Sequence, residues 1–173
     1  MKLYYDGCVV KEFEELYLKG LIQGVTTNLS FSKDQMIKYN KSYDFVLKKM
    51  HTKVKNKKLS FSTQVSNTNP NIIKNEAIKL NNTYKNGVDL KIKIPINYLN
   101  CEVIKNLIEK KIKINATCVT GFLQGVAAAN LGCTYISFFW GKMCDEGIDP
   151  IRIVSDFRNF LDKNNLSKSS KIL

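Results

Sequence analysis

Leu90-Lys91-Ile92-Lys93-Ile94-Pro95-Ile96 alternates aliphatic and basic residues at a period of two until a proline ends the pattern. Side chains along a strand point to opposite faces in turn, so Leu90, Ile92 and Ile94 share one face and Lys91 and Lys93 the other. If the aliphatic face meets helices, both lysines point into the interior of a closed sheet. The competing reading is an exposed edge strand with both ammonium groups in water. Charged side chains are seldom buried without a purpose, and a lysine taken out of water loses its proton more readily and becomes a nucleophile toward carbonyls. Two ammonium groups about 7 Å apart at an effective dielectric near ~20 repel by about 2 kcal/mol, enough to lower one pKa by about one or two units.

Working outward, short β-like runs alternate with helical patterns along the whole chain, the signature of parallel strands joined by crossover helices. Lys2–Asp6 is followed by an amphipathic helix over Val10–Lys19 that Gly20 closes. Gly24–Asn28 precedes a longer helical stretch, where Ser32-Lys-Asp-Gln35 has capping-box spacing. Leu59–Ser66 is followed by Asn69-Pro70, a cap and first-turn proline ahead of Ile72, Ile73, Ala77 and Ile78. After the fourth strand, Val88–Pro95, a helix starts near Asn100. Lys113–Val119 leads to a helix carrying Ala127-Ala-Ala129, whose small side chains suit close packing on the sheet, and Gly132. Tyr135–Trp140 leads to a helix capped by Asp149-Pro150, with Ile153, Phe157 and Phe160 on one side. The fold expected from this alternation is α/β, a parallel sheet of barrel type, with about six βα units filling residues 1–173 as a single domain.

Composition narrows the function. A hydrophobic share of 44% over 173 residues supports one sizeable core. No apolar run reaches the roughly 18 residues of a membrane span or has a secretory pattern, so a soluble, cytoplasmic protein away from membranes is expected. Cys8, Cys101, Cys118, Cys133 and Cys144 are odd in number and form no CxxC pair, so they read as reduced, packing thiols and not as a metal site. The net charge of +12 comes almost wholly from scattered lysines, with only Arg152 and Arg158 as arginines. Base readers favour arginine, and stacking platforms need interleaved aromatics. No specific nucleic-acid partner is therefore expected, although a basic nucleic-acid-binding module is an alternative that salt dependence of DNA binding separates. His51, the sole histidine, sits in the one dense basic run and is expected to be solvated, which leaves little support for a histidine-based triad.

In barrels of this type ligands bind at the C-terminal ends of the strands. Polar residues there are Asp6 with Tyr4, Thr26 and Asn28, Gln64, and Asn115 with Thr117. Singly, each also reads as a cap, a turn former or a satisfied polar group. Around an inward lysine they place an acid, an amide and a hydroxyl beside an amine nucleophile.

Lys2-Leu-Tyr-Tyr-Asp6, Gly24-Val-Thr-Thr-Asn28, Lys93-Ile-Pro95, Asn115-Ala-Thr117, Gln124-Gly125, Tyr135-Ile-Ser-Phe-Phe139 and Gly141-Lys142 occur in this order and spacing. Together they make the chain similar to the small transaldolases and fructose 6-phosphate aldolases, class I enzymes on a (β/α)8 barrel. The resemblance implies transfer of a dihydroxyacetone unit between sugar phosphates in pentose phosphate metabolism, without metal or organic cofactor. Lys93 would form the Schiff base and Asp6 would shuttle the proton. Gln64 and Thr117 would hold the catalytic water. Thr26, Asn28 and Asn115 would bind substrate, Phe139 would line the site, and Lys142 would stand where an arginine commonly grips the phosphate. Sugar phosphates are the implied partners, and a homo-oligomer is left open.

The chain departs from the family at several points. Leu29 and Phe138 replace usual prolines, Lys91 replaces an aliphatic residue, and lysine at 142 offers a point charge in place of a bidentate fork. Gln64 matches the aldolase branch and Phe139 the transaldolase branch, so simple aldol cleavage of fructose 6-phosphate stays as an alternative. A typical barrel needs about 200 residues or more, so the resemblance implies an incomplete (β/α)8 barrel, with the seventh strand just starting at Lys171-Ile-Leu173. An inactive, truncated barrel without its phosphate site is therefore a third reading.

Overall fold

The computed structural model describes residues 2–173. Its elements are β1 (Tyr4–Asp6), α1 (Val10–Leu18), β2 (Gly24–Thr26), α2 (Leu29–Tyr39), α3 (Tyr43–Val54), β3 (Ser60–Gln64), α4 (Pro70–Tyr84), β4 (Asp89–Pro95), α5 (Tyr98–Glu109), β5 (Ile114–Val119), α6 (Phe122–Leu131), β6 (Tyr135–Phe138), α7 (Trp140–Asp145), α8 (Pro150–Lys163) and β7 (Lys171–Ile172). Strand order follows chain order from β1 to β7, and β1–β2, β2–β3, β5–β6 and β6–β7 pair in parallel. Sequential parallel strands, each of the first six followed by helix, are the pattern of an incomplete (β/α)8 barrel. No helix among the described residues is long and apolar enough to cross a membrane.

The chain forms two compact units. The first takes the residues up to Ser66 together with Glu76–Ile92. Its register aligns Tyr4, Gly24 and Ser60 across three strands. A Cβ at Gly24 would lie 2.2 Å from the Tyr4 ring and 2.9 Å from the Ser60 carbonyl, so only glycine lets that ring lie across β2. Helix α3 buries Val46, Leu47, Met50 and Val54 at helical spacing. His51 lies on the same side: its ring is 5.1 Å from that of Tyr84 and 6.1 Å from that of Phe61, and its Nε2 is buried without a hydrogen-bond partner among the described residues. The expected solvated histidine is thus corrected, because the helical stripe and not the basic run around it sets its environment.

The long helix expected after β2 is two helices. Asn40 adopts the left-handed conformation and ends α2, and α3 begins at Tyr43. The start of α2 is also earlier than the Ser32 capping-box spacing suggests, since Asn28 Oδ1 accepts from the Phe31 amide at 2.9 Å and so supplies the cap.

The second unit takes Asn67–Asn75 and Lys93–Leu173. Helix α6 fits close against its neighbours because Ala128 and Ala129 are buried and a Cβ at Gly125 would meet the Phe157 ring at 3.0 Å. Gly132, at φ +89°, closes the helix. Asp149 caps α8 by accepting from the amides of Ile151 and Arg152, and Phe157 is fully buried on its inner side. Strand β6 stops at Phe138, two residues earlier than the aromatic run suggests, and Trp140 opens the short α7.

Candidate active site

The two lysines of β4 are both buried, with Lys91 1% and Lys93 4% exposed. An exposed edge strand is thereby excluded, since β4 is also fourth of the seven strands in order. The fates of the two amines differ. In the first unit Lys91 Nζ donates to Ser60 Oγ at 2.9 Å and to the Asp89 carbonyl at 3.2 Å, and it pairs with the Asp89 carboxylate. Its donors are thus engaged by a hydroxyl, a carbonyl and a carboxylate, a structural arrangement.

At the other strand ends of this unit, Asp6 and Thr26 are register partners, and Thr26 Oγ1 donates to Asp6 Oδ1 at 2.6 Å. A short, charge-assisted bond of this kind fixes the carboxylate's orientation, while Asp6 itself is exposed. Asn28 Oδ1 is occupied as the cap of α2, so its amide nitrogen is the end offered to a ligand. Gln64 ends β3, and its carbonyl accepts from the Tyr43 hydroxyl at 3.2 Å.

In the second unit Lys93 lies within electrostatic reach of Cys118. Burial pushes that thiol up, and the neighbouring Lys93 charge works against the push. Cys118 is the extra residue of a β-bulge: the β5–β6 register slips between Ala116 and Val119, and Cys118 takes φ +61°. Bulges re-aim side chains, and this one lies directly after Thr117. Thr117 is fully buried, and its Oγ1 has no hydrogen-bond partner among the described residues; the group beside it is the Cys118 thiol, a weak partner. A buried hydroxyl left in this state is a place for water or a substrate oxygen. On the same strand Asn115 Oδ1 accepts from Ser137 Oγ at 2.7 Å, an orientation that turns the amide nitrogen away from Ser137.

Phe139 is partly exposed at the start of α7, tied by its amide to the Val119 carbonyl at 2.8 Å. Lys142 lies one turn along α7, exposed, with its ammonium 2.8 Å from Glu146. An exposed pair of this kind is worth little and leaves the lysine free to exchange partners. Among the described residues no group of three histidine, cysteine or acidic side chains could hold a metal ion. The sequence reading missed Cys118, Ser137 and Tyr43. A positive φ at Cys118 leaves no mark in composition, whereas Tyr43 was findable from Ser42-Tyr-Asp44, a cap signal after Asn40.

Comparison with known proteins adds an independent line. Residues 3–173 match the family model described as transaldolase/fructose-6-phosphate aldolase. A protein named Probable transaldolase from Caldicellulosiruptor saccharolyticus is 31% identical over 166 residues, covering 94% of this chain and 72% of the relative. One of the same name from Geobacter metallireducens is 30% identical over 162 residues, covering 94% and 71%. Another from Thermoplasma volcanium is 29% identical over 177 residues, covering 98% and 75%.

Proposed function

The chain belongs to the transaldolase/fructose-6-phosphate aldolase family, a class of enzymes, and from that premise we propose that it moves a dihydroxyacetone unit between sugar phosphates through a Schiff base on Lys93. The observation that carries this reading is a lysine 4% exposed on a central strand, with a buried threonine hydroxyl on the next strand that has no partner stronger than a thiol among the described residues. Taking an ammonium out of water favours the neutral amine that attacks carbonyls.

In the proposed reaction Lys93 Nζ adds to the ketose carbonyl, and the carbinolamine loses water to give an iminium ion. Asp6 then takes the proton of the C4 hydroxyl as the C3–C4 bond breaks and C4 becomes an aldehyde carbon. The bonding electrons flow into the iminium, so an aldose phosphate leaves and an enamine stays on the enzyme. An aldehyde acceptor reverses these steps, and water finally cleaves the imine. Thr117 and Gln64 are the groups proposed to hold that water. Thr26, Asn28 and Asn115 are proposed to bind the hydroxyls of the bound sugar, Phe139 to cover it, and Lys142 to meet the phosphate. The 2.6 Å bond from Thr26 supports the role of Asp6, because it holds the carboxylate in one orientation.

The aldolase reaction shares each step up to the enamine and differs only in releasing free dihydroxyacetone. Glutamine at position 64, the residue of the aldolase branch, favours that outcome. The test is product analysis with fructose 6-phosphate, with and without an aldose phosphate acceptor. Glyceraldehyde 3-phosphate that forms only with acceptor identifies transfer, and formation without it identifies cleavage. Either activity surviving Lys93→Met at wild-type rate removes the proposal.

A further inference from the structure

The β2–β3 ladder runs from Gly24↔Ser60 to Thr26↔Ser62 and then stops. Beyond it, Thr27 turns both its amide and its hydroxyl onto the Ser62 carbonyl, at 2.9 and 3.2 Å. The carbonyl of Gln64, the last residue of β3, lies past that last rung. The group that reaches it is the phenol of Tyr43, the first residue of α3, which donates at 3.2 Å and lies beside the Thr27 hydroxyl; the Thr63 hydroxyl close by has no hydrogen-bond partner of its own among the described residues. Both threonines are fully buried. One phenol therefore ties the ends of two strands to the start of a helix. Those ends carry Thr26 and Asn28 on one side and Gln64 on the other.

We propose that Tyr43 is a positioning residue that clamps the β2 and β3 ends through its hydroxyl and so holds Gln64 at the water it manages, a role that rests on the Schiff-base reading above. The packing of α3 does not need this hydroxyl, because Val46, Leu47, Met50 and Val54 already bury that helix against its surroundings. Burial of the phenol also raises its pKa, so the hydroxyl stays a donor through the neutral range.

The discriminating variant is Tyr43→Phe, which keeps the ring and deletes the donor. Its control is Tyr84→Phe, which deletes a phenol of the same unit that bonds the same helix start, at Asp44 Oδ1 at 2.8 Å, and not the Gln64 carbonyl. Two readouts are compared. Hydrogen–deuterium exchange reports order directly: Tyr43→Phe should speed exchange in peptides covering residues 26–32 and 62–67, and Tyr84→Phe should leave those peptides unchanged. Steady-state kinetics on fructose 6-phosphate should show kcat falling about tenfold for Tyr43→Phe, since small misplacement of a group near the chemistry costs about one or two orders of magnitude, with KM within about twofold of wild type. Unchanged exchange at those peptides overturns the clamp. Faster exchange with unaltered kcat overturns its catalytic part. A wild-type chain without turnover would sink the Schiff-base reading instead and leave exchange alone to decide the clamp. Thr27→Val, which removes the second hydroxyl, should shift the same peptides in the same direction.

Discussion

Lys91 and Asp89 offer a perturbation whose outcome separates a structural amine from a chemical one. The ammonium is 1% exposed and the carboxylate 47% exposed, so the pair has one dry end and one wet end. Removing the wet partner by Asp89→Asn takes the neighbouring carboxylate from a buried charge and keeps its bonds to Ser60 Oγ and the backbone carbonyl of residue 89. Breaking a fully buried pair in this way costs about 3–5 kcal/mol; with half of the carboxylate's field already screened by water, about 2 kcal/mol is expected here. Removing the dry partner by Lys91→Met has a different effect. The aliphatic stem is replaced at similar volume, the desolvated charge is gone, and Asp89 relaxes into solvent. The expected change is within about 1 kcal/mol of zero, in either direction. The double variant should resemble Lys91→Met alone, giving a coupling of about 2 kcal/mol. Urea unfolding at neutral pH reads this out: with a slope of about 2 kcal/mol per molar, Asp89→Asn should move the midpoint down by about 1 M. Additive effects, or a Lys91→Met as damaging as Asp89→Asn, would refute the reasoning and mean that the stem or the Ser60 bond, not the charge, matters at this site.

Four further outcomes follow from the structure. Burial lowers the pKa of His51 below its ordinary 6.5, so the unfolded chain takes up the proton first as pH falls. Stability contributed by the neutral ring is then complete above about 6.5 and declines as pH drops from there toward the lowered native value; urea midpoints between pH 7.5 and 5.5 should show this decline, and His51→Gln should flatten it. Asp44, held below the usual carboxylate range by Lys48 and Tyr84, acts in a separate and more acidic window, because its contribution persists until pH falls through that lowered pKa. Among the thiols, exposed Cys144 should alkylate first and Cys133, buried and pushed up to about 12, last. Because the Lys93 charge opposes the rise at Cys118, Lys93→Met should slow alkylation of Cys118 specifically, and peptide mass spectrometry would expose an unchanged rate.

Strand β4 was the most legible part of the fold, since its period of two over a proline stop can be read without neighbours and matches the observed Asp89–Pro95. The helix starts at Asn69-Pro70 and Asp149-Pro150 were readable for the same local reason: cap chemistry acts within three residues. Longer-range effects were not readable. His51 stands four residues after buried Leu47, a spacing that was visible, but the flanking lysines masked it. The break at Asn40 depended on one left-handed residue in an otherwise helical pattern. At the candidate site, residue types at strand ends could be named from the sequence. The sequence did not reveal that Lys91 bonds Ser60, that Cys118 forms a bulge, or that the buried Thr117 hydroxyl has nothing stronger than a thiol beside it among the described residues, because each depends on register between strands and not on order along one.

The central claim is that the amine of residue 93, and not that of residue 91, bonds a ketose carbonyl. Borohydride reduction of the full chain in the presence of fructose 6-phosphate, followed by digestion and peptide mass spectrometry, tests it in one step. The account predicts a reduced sugar-derived adduct on Lys93, absent from Lys93→Met and still formed in Lys91→Met. An adduct on Lys91, or no adduct on a chain that unfolds cooperatively in urea, would contradict it.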